Sequence, residues 1–170
     1  HRQNKELIKY AQTDALTGLY NKETTKIQTD ELLLNNRQAT HAFLILDMDC
    51  FKQINDVYGH AVGDIVLQKF GSLLRNTFRE NDIVGRIGGD EFVIVMKNVQ
   101  TKDIAMKKAG ELLAITKEYE IDELKGKHIS ISVGISISPQ DGDCYMDLYK
   151  RADQALYQAK RSGKARVCNY

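Results

Sequence analysis

Apolar positions along the chain fall into β-like runs and helical stripes that alternate from one end to the other. "HAFLILD" (His41 to Asp47) reads as a buried strand ending on an acid. Gly63 to Arg79 carries Ile65, Val66, Leu67, Phe70, Leu73, Leu74 and Phe78, close to the 3.6-residue period of an amphipathic helix. Ile83 to Ile87 and Phe92 to Met96 are β-rich, and Gly88 and Gly89 between them are expected to supply the positive φ of a tight hairpin. "HISISVGISIS" (His128 to Ser138) alternates as a strand does, and "PQDGD" turns out of it. Thr24 to Asn36, Lys102 to Tyr119 and Tyr145 to Ser162 read as further helices, the last stopped by Gly163, with a short edge strand over Ala165 to Cys168. Helices and strands alternate around a central hairpin, which predicts α/β (α+β) architecture: a mixed β-sheet of the ferredoxin-like kind flanked by helices.

Composition narrows the reading. At 170 residues, 42% hydrophobic and 28% charged, the chain can bury a proper core. It has one proline and shows no repeat, so one domain is expected over 13–170. The polar, helix-like stretch His1 to Tyr10 suggests the end of an upstream connecting helix over 1–12. A net charge of +1 gives no reason to expect nucleic-acid binding or direct membrane contact through a basic face. No apolar stretch approaches the roughly 20 residues that span a bilayer. Three cysteines (Cys50, Cys144 and Cys168), odd in number and without a CxxC pair, favour a reducing, cytoplasmic compartment.

The acids raise the question of chemistry. Asp47 and Asp49 stand two apart at a strand end, and Asp90 and Glu91 stand at the hairpin tip. If the two strands are neighbours, up to four carboxylates converge at one edge of the sheet. Uncompensated, they would repel one another and raise their own pKa values. A hard divalent cation removes that cost, and Mg²⁺ typically takes one or two carboxylates plus a substrate's phosphates. Solvated loop acids are the plain alternative.

"GGDEF" at Gly88 to Phe92 resembles the signature of the GGDEF family of diguanylate cyclases. "DALTGLYNK" (Asp14 to Lys22), "DMDCFKQINDVYGHAVGD" (Asp47 to Asp64), "RIGGDEF" and "ADQALYQAKRSGK" (Ala152 to Lys164) are similar to family blocks, in family order and spacing. The resemblance implies a sheet of nucleotidyl-cyclase palm type and an enzyme that condenses two GTP into cyclic di-GMP with release of pyrophosphate. It implies that Asp47, Asp90 and the Met48 carbonyl ligate Mg²⁺ (or Mn²⁺), two ions per active site, with Glu91 as a further or alternative ligand. Asp90 and Glu91 are the catalytic candidates, and Asp90 resembles the residue that takes the proton from the attacking ribose 3′-hydroxyl. Gly88 and Gly89, lacking Cβ, let phosphates lie against the hairpin backbone. Guanine recognition falls to Asn55, His60 and Asp64, with Phe51 beside them; His60 reads equally well as a helix-start histidine paired locally. Lys52 and Lys160 match positions that meet phosphates. Lys164 stands where the family more often has arginine, so a bidentate contact becomes a point-charge contact.

"RENDIVGRIGGDEF" places Arg79 and Asp82 three apart, with five residues between Asp82 and Gly88. That spacing resembles the family's inhibitory RxxD site, where an arginine and an acid take the two edges of guanine. A solvated i,i+3 ion pair is the alternative. Arg86 is expected to add a contact, while the family's second-site arginine is not found near Lys22 and Glu23. The resemblance also implies a homodimer for catalysis and an upstream sensory domain. Two rivals stay open: a module that holds GTP or cyclic di-GMP without turnover, and a relay or dimerisation domain. Tyr149 and Tyr157, at helical spacing, read as core.

Overall fold

A computed structural model describes residues 11–170; the stretch His1 to Tyr10, expected to be helical, lies outside the described residues. The chain runs through helix α1 (Lys22–Asn35), strand β1 (His41–Met48), helices α2 (Phe51–Tyr58) and α3 (His60–Thr77), strands β2 (Ile83–Arg86) and β3 (Glu91–Met96), helix α4 (Lys102–Glu118), strand β4 (Ile131–Ser138), helix α5 (Tyr145–Arg161) and strand β5 (Val167–Asn169). The five strands form one sheet in the order β2-β3-β1-β4-β5. All neighbours are antiparallel except β4 and β5, so the sheet is mixed, as expected. β1 and β2 flank the antiparallel β3, and α2 and α3 make the crossover, a split βαβ unit.

Strand β1 sits at the centre and is covered on both sides, which explains its unbroken apolar run: Ala42 to Leu46 are all 0% exposed. Leu44, Leu46 and Met48 pack with Val66, Phe70 and Leu74 of α3 and Leu112 of α4. On the other face Phe43 and Ile45 meet Leu148, Ala152 and Leu156 of α5 and Leu33 of α1. Neighbouring β4 alternates isoleucine with serine for a different reason than a wet face. Its serines are buried too, and Ser136 Oγ donates to the Leu148 carbonyl at 2.8 Å. Helix α5 presses so close there that a Cβ at Gly134 would overlap the Ala152 carbonyl.

Four expectations need correction. Tyr157, at helical spacing on α5, is 62% exposed rather than core. A short helix, α2, precedes the long one, which begins at His60 rather than Gly63. None of the α2 residues is buried, so no core stripe marked it in the sequence. The β4 strand begins at Ile131, not His128. Finally, Gly88 and Gly89 do not adopt positive φ; among described glycines that conformation falls to Gly18, Gly59, Gly126 and Gly163. The hairpin loop spans Ile87 to Asp90 and is closed by Ile87 N–H to the Glu91 carbonyl at 3.0 Å. A four-residue loop does not demand the left-handed turn of a two-residue one. Among the described residues no helix is long and apolar enough to cross a membrane.

Candidate active site

Antiparallel pairing sets the hairpin tip beside the end of β1. Asp47 lies opposite Glu91 in the register, and the Met48 N–H donates to the Asp90 carbonyl at 3.2 Å. The Asp90 and Asp47 side chains meet. Burial first, and then the Asp47 carboxylate, push the Asp90 carboxyl up to about 6. On its other side Asp47 pairs with the Lys160 ammonium from α5. Two carboxylates thus share one nearby ammonium and lack positive charge. The donors are hard oxygens, and a divalent cation such as Mg²⁺ or Mn²⁺ would remove the repulsion that raises Asp90, so the residues present fit such an ion.

The expected convergence of four carboxylates is not what the fold makes. Glu91 turns to Tyr149 on α5, whose hydroxyl donates to Glu91 Oε1 at 2.7 Å. Burial and the Glu91 charge both push the Tyr149 phenol up, so it stays a donor. Asp49 turns the other way and accepts from Ser130 Oγ at 2.7 Å, Ser132 Oγ at 2.7 Å and the Ala165 amide at 3.1 Å. It ties the end of β1 to β4 and to the turn after α5; it does not face the Asp47 and Asp90 pair. Asp47, Asp90 and Glu91 are not all within 4.8 Å of one another. The acidic group that is, Asp143, Cys144 and Asp147, lies at the start of α5 with its two aspartates exposed.

The tip itself is braced from below. Arg86 Nε and Nη2 donate to the Gly89 carbonyl at 3.0 and 2.9 Å, while Nη1 reaches both Asp14 oxygens at 3.0 and 3.1 Å. Asp14 is in turn held by the Thr17 amide and hydroxyl at 2.9 and 2.7 Å. Above the tip there is room: a Cβ at Gly88 would touch only Glu91 Cβ, at 3.6 Å, and one at Gly89 would meet nothing within 4 Å.

A second wall is made by α2 and α3. A Cβ at Gly63 would overlap the Asn55 amide oxygen and lie 3.3 Å from the Phe51 ring. Gly63 therefore lets Asn55 and Phe51 lie against the start of α3. Sequence reasoning passed over it; a glycine in the first turns of an apolar helix, where alanine is preferred, was the available signal. His60, Asp64 and Lys52 are exposed. Lys164, at φ 61°, directs its ammonium to Cys50 Sγ at 3.3 Å.

Residues 11–166 match the family model described as "Diguanylate cyclase, GGDEF domain". The chain belongs to the GGDEF family of diguanylate cyclases. This GGDEF domain is 36% identical over 172 residues to the response regulator PleD of Caulobacter vibrioides, covering 94% of this chain and 36% of that protein. It is 33% identical to diguanylate cyclase A of Treponema denticola, covering 96% of this chain and 46% of that protein. The chain thus spans less than half the length of these curated relatives. Among solved structures it resembles the GGDEF domain of DgcB from Caulobacter crescentus in complex with c-di-GMP, with a TM-score of 0.85 at 26% identity, covering 94% of this chain and 95% of that one.

At the far end of the β2–β3 hairpin the GGDEF domain carries Arg79 and Asp82, and they do not pair side chain to side chain. Asp82 is 6% exposed; its oxygens accept from the Arg79 amide at 3.1 Å and the Lys97 amide at 3.0 Å. The Arg79 side chain instead lines a cleft of about 290 Å³ with Lys107, Lys108 and Glu111. Arg86, expected there, is engaged at the tip.

Proposed function

We propose that this domain condenses two GTP into cyclic di-GMP, with release of pyrophosphate, and that it depends on Mg²⁺ or Mn²⁺ and works as a homodimer. The observation that carries the reading is the Asp47 and Asp90 pair, short of positive charge, beside a glycine tip open above its backbone. Asp47, Asp90, the Met48 carbonyl and Glu91 would hold two ions, which when bound would supply charge stabilisation for the α-phosphate and the leaving pyrophosphate. The phosphates lie along Gly88 and Gly89. Lys160 compensates Asp47 until a cation does so, then joins Lys52 and Lys164 in meeting the phosphates. Asn55 and Asp64, with Phe51 and His60 beside them, take the guanine edge. The 3′-hydroxyl oxygen attacks the α-phosphorus, Asp90 takes its proton, and the bond to the β-phosphate oxygen breaks.

Each domain has one such edge, and the two hydroxyls must attack reciprocally, so two domains have to face each other across a two-fold axis. Cyclic di-GMP is also read as an inhibitor at the Arg79 cleft. The buried Asp82 shapes that corner, and Lys107 and Lys108 share the cationic work with Arg79. The input is assigned to an upstream sensory domain and the location to the cytoplasm, with no role for nucleic acid or direct membrane contact.

Incubating purified protein with GTP and Mg²⁺ and separating the products by chromatography tests the reading. Cyclic di-GMP and pyrophosphate are expected, with activity per chain rising with protein concentration. Bound but unconverted GTP would favour a binding module instead.

A further inference from the structure

Tyr149 reads in the sequence as a core aromatic, one turn along α5 from Tyr145. The two rings do stack, with centroids 5.8 Å apart and planes 26° from parallel. Tyr145 is itself fixed: its ring meets Phe43 edge-on at 5.4 Å and its amide donates to Asp30 Oδ1 at 2.7 Å. The Tyr149 ring is therefore wedged against a buried, immobilised neighbour, and little freedom is left to its hydroxyl. That hydroxyl bonds Glu91 at 2.7 Å, whereas the Tyr145 hydroxyl is buried with no partner among the described residues.

Glu91 stands directly opposite Asp47, with Asp90 before it in the chain. A flexible glutamate placed beside two other carboxylates is driven outward into solvent by their charge, and the fold must supply something to hold it. From this geometry we propose that Tyr149 is a positioning residue: its hydroxyl holds one oxygen of Glu91 and so leaves the other turned to the metal edge. The inference rests on the reading of Glu91 as a metal ligand. Outer-shell partners of ligating groups typically change metal affinity by about 10–100-fold when removed.

Binding of Mn²⁺ together with a non-reacting α,β-methylene analogue of GTP, followed by electron paramagnetic resonance, tests it without turnover. Tyr149→Phe keeps the ring and its stacking and should weaken Mn²⁺ binding about tenfold or more, with the melting temperature of the metal-free protein unchanged. Turnover should recover toward the unmutated kcat at saturating metal. Tyr145→Phe is the packing control and should leave Mn²⁺ binding as it was. Glu91→Gln should weaken binding at least as much as Tyr149→Phe, and combining the two should add little. Normal Mn²⁺ affinity in Tyr149→Phe beside a weakened Glu91→Gln would overturn the positioning role alone. An equal loss in Tyr145→Phe and Tyr149→Phe would also overturn it, by assigning the effect to packing. Normal affinity in Glu91→Gln removes the ligand assignment, and this proposal with it.

Discussion

At one end of the β2–β3 hairpin Asp82 accepts from two backbone amides; at the other Asp90 faces Asp47 with less positive charge than the pair needs. Both acids stand in short motifs beside an arginine. In the corner the acid is spent on the fold, and the arginine side chain is left over for a cleft. At the tip the arginine is spent on the fold, bracing Gly89 against Asp14, and the acids are left over. Which member of an acid–arginine pair is free for chemistry is decided by the backbone groups within reach, not by the motif.

The comparison breaks first at Asp90. Asp90→Ala should abolish cyclic di-GMP synthesis, by at least a hundredfold, because one metal contribution is worth several kcal/mol and each ~1.4 kcal/mol is tenfold in rate. Circular dichroism should show the fold intact, since the half-buried tip gives up little packing. Near-normal turnover would remove the metal assignment.

The corner should respond in stability instead. Asp82→Ala strips the acceptor from two amides and should cost about 1–3 kcal/mol, or several degrees of melting temperature at about 2–4 °C per kcal/mol. The initial rate per folded molecule should hold. Arg79→Ala, by contrast, should leave stability and initial rate alone and relieve, several-fold, the slowing that sets in as product accumulates. If added cyclic di-GMP neither binds nor slows the unmutated protein, the corner is structural only.

The smallest effect is in pH. Burial and Asp47 favour the neutral form of Asp90, so the folded, metal-free chain holds that proton up to about pH 6, while the unfolded chain releases it near the ordinary 3.8. Stability from this group is therefore full below the unfolded value and is lost as pH rises through about 6. Asp90→Asn removes the loss. It should raise the metal-free melting temperature by a few degrees at pH 7.5 and change it little below pH 4. An equal shift at both pH values would mean that Asn improves packing rather than relieving charge.

Much of this was legible in the chain. Helix α3 and strand β4 are marked by periodic patterns and β1 by an unbroken apolar run, and of the four acids expected to converge the fold brings Asp47 and Asp90 together. What escaped notice depends on partners distant in sequence. Asp49 was grouped with Asp47 by spacing, yet Ser130 and Ser132 claim it from 81 and 83 residues away. Tyr149 looks like core because its half-buried ring packs against the core; its hydroxyl meets Glu91 across 58 residues. Arg86 is expected at the corner through the resemblance to an RxxD site, whereas Asp14, 72 residues away, draws it to the tip. Gly88 and Gly89 carry two expectations from the sequence: the positive φ is not found, because the longer loop does not need it, while the missing Cβ does leave open space above the backbone.

The central claim is that the tip, and not the corner, is short of positive charge. The most direct test is the rise in melting temperature when Mg²⁺ and a non-reacting GTP analogue are added at pH 7.5 to the unmutated protein, Asp90→Asn and Asp82→Asn. The account predicts a clear rise for the unmutated protein, a similar rise for Asp82→Asn from a lower starting point, and none for Asp90→Asn. A rise that survives in Asp90→Asn and disappears in Asp82→Asn would contradict it.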